Sequence, residues 1–268
     1  MLKKLKIGIV GYGAIGSSLA KAIRSSFSKD AGLAAIYDID KNKPGLANNK
    51  LSVSTLAQLI KKSDLVIECA SVGSSWNIAR AALAKGRSII IMSVGGVIRH
   101  YQQLRSLAGK HKAKVYIPSG AISGIDALKA AGIGRIKKVM LTTRKNPLSF
   151  KGVKFVQAKG IKLDKIKKDT ILFFGPASEA VKYFPQNINV AAVLSLSGIG
   201  PHKTLIKIVA SPSVHKNIHE IQIHSEAADI FTRTENILHP HNPKTSYLAV
   251  LAAVATLKQI IEPVKIGT

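Results

Sequence analysis

Residues 6–16 read Lys6-Ile7-Gly8-Ile9-Val10-Gly11-Tyr12-Gly13-Ala14-Ile15-Gly16, an apolar run that breaks into glycines at positions 11, 13 and 16. That G-x-G-x-x-G spacing suits a dinucleotide pyrophosphate where a strand turns into a helix. Gly11 permits the tight turn, Gly13 lets the backbone approach the phosphates, and Gly16 lets the helix pack closely, so that the N–H groups of the helix opening at Ala14 and Ile15 face the anion. The residues downstream of the loop strengthen this reading. Leu33–Ile39 reads as a second strand carrying Asp38, at about the distance where a carboxylate accepts the adenosine ribose hydroxyls. Gly11, Gly13, Ala14, Ile15, Gly16 and Asp38 are therefore candidate cofactor-binding residues, with NAD as the expected cofactor. Lys41 and Lys43 lie just beyond and are placed to neutralise a 2′-phosphate, so NADP stays as the alternative.

The 268 residues, 46% of them hydrophobic, suffice for one large core or two modest ones, and a dinucleotide-binding half takes only residues 1–120. Two domains are expected. A single cysteine, Cys69, excludes a disulfide framework and a multi-cysteine metal cluster, which points to a reducing, cytoplasmic compartment. It ends the apolar run Asp64–Ala70 and reads as a small core residue rather than a nucleophile. Lys3, Lys4 and Lys6 before an apolar stretch imitate a secretory signal, but glycines at phosphate-loop spacing are an odd use of such a segment. The apolar run Tyr247–Leu257 is too short to cross a bilayer of about 30 Å, so no membrane partner is expected.

Net charge is +26, from 40 Lys and Arg against 14 Asp and Glu, which raises nucleic-acid binding as a rival function. The lysines are spread in ones and twos along the whole chain, without zinc-finger spacing, a basic heptad region or an aromatic-rich single-strand motif. No specific nucleic-acid partner is expected, only salt-sensitive attraction of anions.

The first half alternates strands and helices as βαβ units do, with short, wholly apolar strands at 64–70, 88–93 and 113–117, and helices near 14–27, 55–62, 75–85 and 98–109. This predicts a doubly wound parallel sheet of the Rossmann type. Small residues follow its strands at Ala70-Ser71, Ser93-Val94-Gly95-Gly96 and Ser119-Gly120-Ala121, where such sheets bind ligands; they are also ordinary turn residues. From about Arg135 the pattern changes to alternating strands at 137–144, 204–210, 217–224 and 229–237, with helices at 177–184 and 187–196, predicting an α+β second domain with a largely antiparallel or mixed sheet over residues 121–241. Asn242-Pro243 reads as the N-cap and first residue of a last helix reaching about Ile261, apolar at Leu248, Leu251, Ala255 and Leu257.

The second domain must supply a proton carrier. In Ile218-His219-Glu220-Ile221-Gln222-Ile223-His224, His219 shares the strand parity of Ile221 and Ile223 and so points to their apolar face. A packed core histidine and a general acid or base both fit that position. His215 and His219 stand four apart like helical zinc ligands, but Pro212, the strand alternation and the lack of a third ligand argue against a metal. His239 and His241 flank Pro240 in an expected loop, where solvated side chains are the reading.

Three further segments carry a resemblance. Pro118-Ser119-Gly120-Ala121-Ile122-Ser123-Gly124-Ile125-Asp126, Phe184-Pro185-Gln186-Asn187-Ile188-Asn189-Val190-Ala191-Ala192 and Asn242-Pro243-Lys244-Thr245-Ser246 are similar to signature segments of the L-aspartate dehydrogenases, and with the glycine loop and Asn217–Glu220 the likeness runs in order along essentially the whole chain. The resemblance implies His219 as the active-site histidine and Ala121 and Asn189 as further cofactor contacts. It implies oxidation of L-aspartate with NAD or NADP to iminosuccinate, which hydrolyses to oxaloacetate and ammonia or feeds NAD biosynthesis. A homodimer is also implied, with the last helix (242–268) returning to the cofactor domain. The chain departs from the family pattern in having Ser211-Pro212 where Asp-Pro is common, and His241 where a carboxylate often precedes the Asn-Pro-Lys-Thr-Ser segment. The rival readings are a related dehydrogenase or reductase of another amino or dicarboxylic acid, and a non-catalytic dinucleotide sensor.

Overall fold

Apolar strands too short to be stable alone find partners on both sides. In the computed structural model, which describes residues 4–47, 49–184, 188–240 and 242–267, the N-terminal run forms β1 (Leu5–Val10), α1 (Ala14–Ser25), β2 (Ala31–Tyr37), α2 (Leu56–Lys62), β3 (Leu65–Glu68), α3 (Val72–Leu83), β4 (Ser88–Ile91), α4 (Tyr101–Lys110) and β5 (Val115–Tyr116). These strands make a parallel five-stranded sheet in the order β2-β1-β3-β4-β5. The order reverses beside β1, and the loop leaving β1 opens into the crevice that such a reversal creates. The expected doubly wound sheet is thus the observed one. The sequence places the second strand two residues late at each end: β2 stops at Tyr37, and Asp38 is the first residue beyond it.

The second half continues with α5 (Ile125–Ala131), β6 (Ile136–Lys145), α6 (Lys154–Ala158), β7 (Thr170–Pro176), α7 (Ala177–Tyr183), α8 (Ile188–Ser197), β8 (Leu205–Ala210), β9 (Asn217–Ser225), β10 (Asp229–Asn236), β11 (Leu238–His239), β12 (Asn242–Ser246) and α9 (Tyr247–Ile261). Its main sheet runs β10-β9-β6-β8-β7; β6 and β8 are parallel and the other pairs antiparallel, which makes it mixed. β7, α5 and α6 go beyond the elements expected from sequence.

The last helix starts later than expected. Asn242–Ser246 pair with Leu238–His239 as a two-stranded ribbon, and Tyr247 N–H donates to Ile237 O, so the backbone is committed to extended pairing before the helix begins at Tyr247. Its apolar face also differs, since Leu248 and Leu251 stay exposed while Val250, Ala253 and Leu257 are buried. The chain divides into two compact units, Met1–Pro118 with Val250–Ile266 and Ser119–Ala249 with Gly267–Thr268. Within the first, Ala253 and Leu257 join Ile7, Ile9, Leu19, Ile23, Leu65 and Ile67 in one apolar core. Among the described residues no helix is long and apolar enough to cross a membrane.

Candidate active site

The glycine loop is built by sterics. Gly11 has φ +90°, in the left-handed region that side chains avoid, and a Cβ there would meet Cys69 O at 2.5 Å. A Cβ on Gly16 would lie 2.0 Å from Gly11 O, so only glycine lets α1 approach the loop this closely. At Gly13 the equivalent position faces open space. Gly13 is the N-cap of α1, no side chain caps the helix, and its first turn holds no acidic residue. These N–H groups are thus left facing a space that suits a pyrophosphate.

Asp38 is tied to the loop. Its Oδ2 accepts from Tyr12 N at 2.6 Å and from Lys43 Nζ at 2.6 Å, and its Oδ1 accepts from Asp40 N at 3.0 Å. Burial alone raises its pKa, but the Lys43 ammonium and the two backbone N–H donors outweigh it and hold the carboxyl below the usual range. The charge on Asp38 is therefore partly neutralised from within the chain. Lys41 is occupied elsewhere: its Nζ donates to Val53 O at 2.7 Å and lies over the Tyr37 ring. The open cradle, uncapped helix and buried acid together fit a dinucleotide.

Glu68, which sequence reading passed over, ends β3 fully buried. Its two oxygens accept from Ala70 N at 2.8 Å and Ser93 N at 2.9 Å, so one carboxylate ties together the small-residue loops after β3 and β4. Burial pushes its pKa up, against those donors. Cys69 packs at the edge of the first core, and burial followed by the Glu68 charge pushes its thiol well up, which makes it a poor nucleophile.

In the second unit, β9 places His219 opposite Thr143 of β6 on one side and Thr234 of β10 on the other. The ring is 5% exposed, and its Nδ1 lies 3.0 Å from Thr143 Oγ1. Lys145 follows two residues after Thr143, on the same face. Burial, and then the Lys145 charge, lower the His219 pKa to about 3, so the imidazole is neutral at physiological pH. Lys145 itself is 9% exposed, and burial lowers its pKa to about 8.

Ala121 joins this region through β10. Asn236 Nδ2 donates to Ala121 O at 3.0 Å, and Ser123 Oγ lies 3.0 Å from Thr234 Oγ1, so the segment after residue 118 is pinned to the strand beside His219. Asn189 is exposed in the first turn of α8. Pro185, Gln186 and Asn187 of the same signature segment, and His241, lie outside the described residues. Ser211 is buried, and its hydroxyl bonds Asp169. His215 is exposed in a bend, not on a helix with His219, and among the described residues no group of three His, Cys, Asp or Glu could hold a metal. The expected solvation of His239 does not hold: β11–β12 pairing buries it to 7% exposure, with its ring 5.5 Å from that of Tyr247. Besides Glu68, the sequence pattern does not single out Thr143 or Lys145. The available signal was Val139-Leu141-Thr143-Lys145, a lysine at apolar parity one residue past the expected strand end.

Residues 126–260 match the family model described as aspartate dehydrogenase, C-terminal, and residues 11–118 match homoserine dehydrogenase, NAD binding domain. An L-aspartate dehydrogenase of Methanosarcina mazei is 46% identical over 98% of this chain and 100% of its own length, and one from Nitrosopumilus maritimus is 37% identical over 98% and 99%. The crystal structure of aspartate dehydrogenase from Thermotoga maritima superposes with a TM-score of 0.74 at 27% identity, covering 99% of this chain and 100% of that one. A homoserine dehydrogenase from Thiobacillus denitrificans, at 14% identity and TM-score 0.64 over 97% of this chain and 73% of its own, shares the fold. With relatives at this identity over nearly its whole length, the chain belongs to the L-aspartate dehydrogenase family of pyridine-nucleotide-dependent oxidoreductases.

Proposed function

We propose that the protein oxidises L-aspartate to iminosuccinate with NAD, and less readily with NADP, the product then hydrolysing to oxaloacetate and ammonia or entering NAD biosynthesis. The observation that carries this reading is His219, a neutral imidazole on the inner sheet face with Nδ1 held by Thr143. A dinucleotide held by Gly11, Gly13, Ala14, Ile15, Gly16, Asp38, Ala121 and Asn189 would supply the hydride acceptor for the substrate α-carbon. As the C=N bond forms, the amino nitrogen sheds a proton. With Nδ1–H donating to Thr143 Oγ1, the His219 Nε2 lone pair is the acceptor for it, and the same nitrogen serves the water that later adds to the imine. Asp38 favours free ribose hydroxyls, while its pairing with Lys43 softens the repulsion of a 2′-phosphate.

The reading includes a homodimer in a reducing, cytoplasmic compartment. The outer face of the second sheet leaves Phe174 and Phe231 60% and 64% exposed, apolar area that a second copy would cover. Sizing of the Phe231→Arg variant tests this, with a monomer expected. The activity is tested by following nicotinamide reduction with a panel of L-amino acids. L-aspartate should lead by at least roughly tenfold in kcat/KM; equal or faster turnover of another amino acid would replace the substrate assignment.

A further inference from the structure

Lys145 ends β6 on the face that carries His219, and its place there is fixed by the backbone. It pairs with Ala210 of β8, and its carbonyl accepts from Ser211 N at 2.8 Å. Its neighbours on that face are Thr143 and His219, both neutral, and the apolar Ile208 and Ala210. The acids of this sheet lie on the other face. Glu220 and Asp169 bond Arg144, and Glu220 and Glu235 bond Arg233. Among the described residues, no carboxylate and no hydrogen-bond acceptor pairs with the Lys145 ammonium. A buried cation without an anion destabilises the chain that holds it, and a core of this kind has no packing need for one.

We propose that Lys145 is the countercharge for a carboxylate of the substrate, left unpaired within the chain so that an incoming dicarboxylate supplies the missing anion. The proposal rests on the reading of L-aspartate as substrate and assigns one of its anchors. An ammonium largely withdrawn from water, as Lys145 is, attracts a carboxylate more strongly than one in bulk water does. The depressed Lys145 pKa fits a cation that burial leaves short of a partner. Pairing would also remove the charge that, after burial, lowers the basicity of His219, so the proton acceptor strengthens as the substrate seats.

The test uses the full chain with NAD present and succinate as probe, a dicarboxylate without the reactive amino group, measured by calorimetry and as a competitor of L-aspartate. Lys145→Met should weaken succinate by roughly 30-fold or more and raise the KM for L-aspartate in parallel, with NAD affinity unchanged. Lys145→Arg should recover part of the loss. Without succinate the Met variant should melt higher than wild type, because it discards an uncompensated charge; a lysine kept for structure predicts a lower Tm and no change in succinate affinity. Lys145→Gln repeats the measurement should the Met variant not fold. Succinate affinity within about threefold of wild type in a folded variant, or no succinate binding by the wild type, overturns the countercharge. Lys145-dependent succinate binding by a wild type that fails to oxidise L-aspartate upholds the countercharge and removes the reaction.

Discussion

At the end of β2, the Asp38 carboxylate accepts from two backbone N–H groups and from the Lys43 ammonium; at the end of β6, the Lys145 ammonium has no anion among the described residues. Both groups are buried, and both pKa values fall below their ordinary positions. The same direction has opposite meaning. For an acid, a lowered pKa marks a charged form that its surroundings favour, whereas for a lysine it marks a charged form that they disfavour. Asp38 is already satisfied from within the chain, and in the proposed reading a ribose would share it. Lys145, in the proposed reading, is completed only when a substrate carboxylate arrives.

The largest effect should come from filling the one opening in the glycine loop. Gly13→Val places a side chain in the space that now faces nothing and should abolish dinucleotide binding, measured by fluorescence titration, with the fold intact. Near-normal NAD affinity in the folded variant would mean that this end of β1 is as self-contained as Asp38 is. His219→Ala should lower turnover with L-aspartate by about 10²- to 10⁴-fold with little change in Tm. A loss of stability on the order of 1–3 kcal/mol with full activity per folded molecule would instead make His219 a packing residue. Asn189→Ala is the control, and its loss should appear mainly in NAD affinity.

Lys43→Met leaves Asp38 with its backbone donors and no cation. The ratio of kcat/KM for NAD over NADP should then rise by roughly fivefold, the worth of about 1 kcal/mol for an ion pair whose lysine is partly exposed. An unchanged ratio would show that the pairing does not set cofactor choice. The smallest effect is on stability against pH. Lys145 has a native pKa of about 8 against about 10.4 in an unfolded chain. Between those values the unfolded state holds more protons, so the destabilisation is complete below pH 8 and fades as pH rises through the window. The Tm advantage of Lys145→Met over wild type should therefore shrink from pH 7.5 to pH 10. A constant gap would indicate that the ammonium is solvated in the native state.

The two ends of this comparison differ in how far the sequence discloses them. The glycine loop and Asp38 are encoded within about one βαβ unit, where backbone sterics and spacing speak for themselves. His219 was visible through strand parity, since it shares the parity of Ile221 and Ile223. Its meaning was not, because Thr143 lies on another strand 76 residues away and only sheet order β10-β9-β6 brings the two together. Lys145 escaped for a local reason: the β6 pattern reads as ending at Arg144, whose charge belongs to the opposite face. The helical start read at Asn242-Pro243 failed because a capping signal is a local preference, and pairing with β11 across the turn outweighed it.

The insertion of α9 into the first core sets the order in which the protein can be finished. Ile7, Leu19 and Ile67 share their core with Ala253 and Leu257, which are synthesised after every strand of both main sheets. The unit begun first is thus the one that cannot close until α9 has been made, while the second sheet, complete by Asn236, can already form. A chain cut or stalled before α9 would leave part of this apolar core uncovered, the kind of surface by which proteases recognise an unfinished fold.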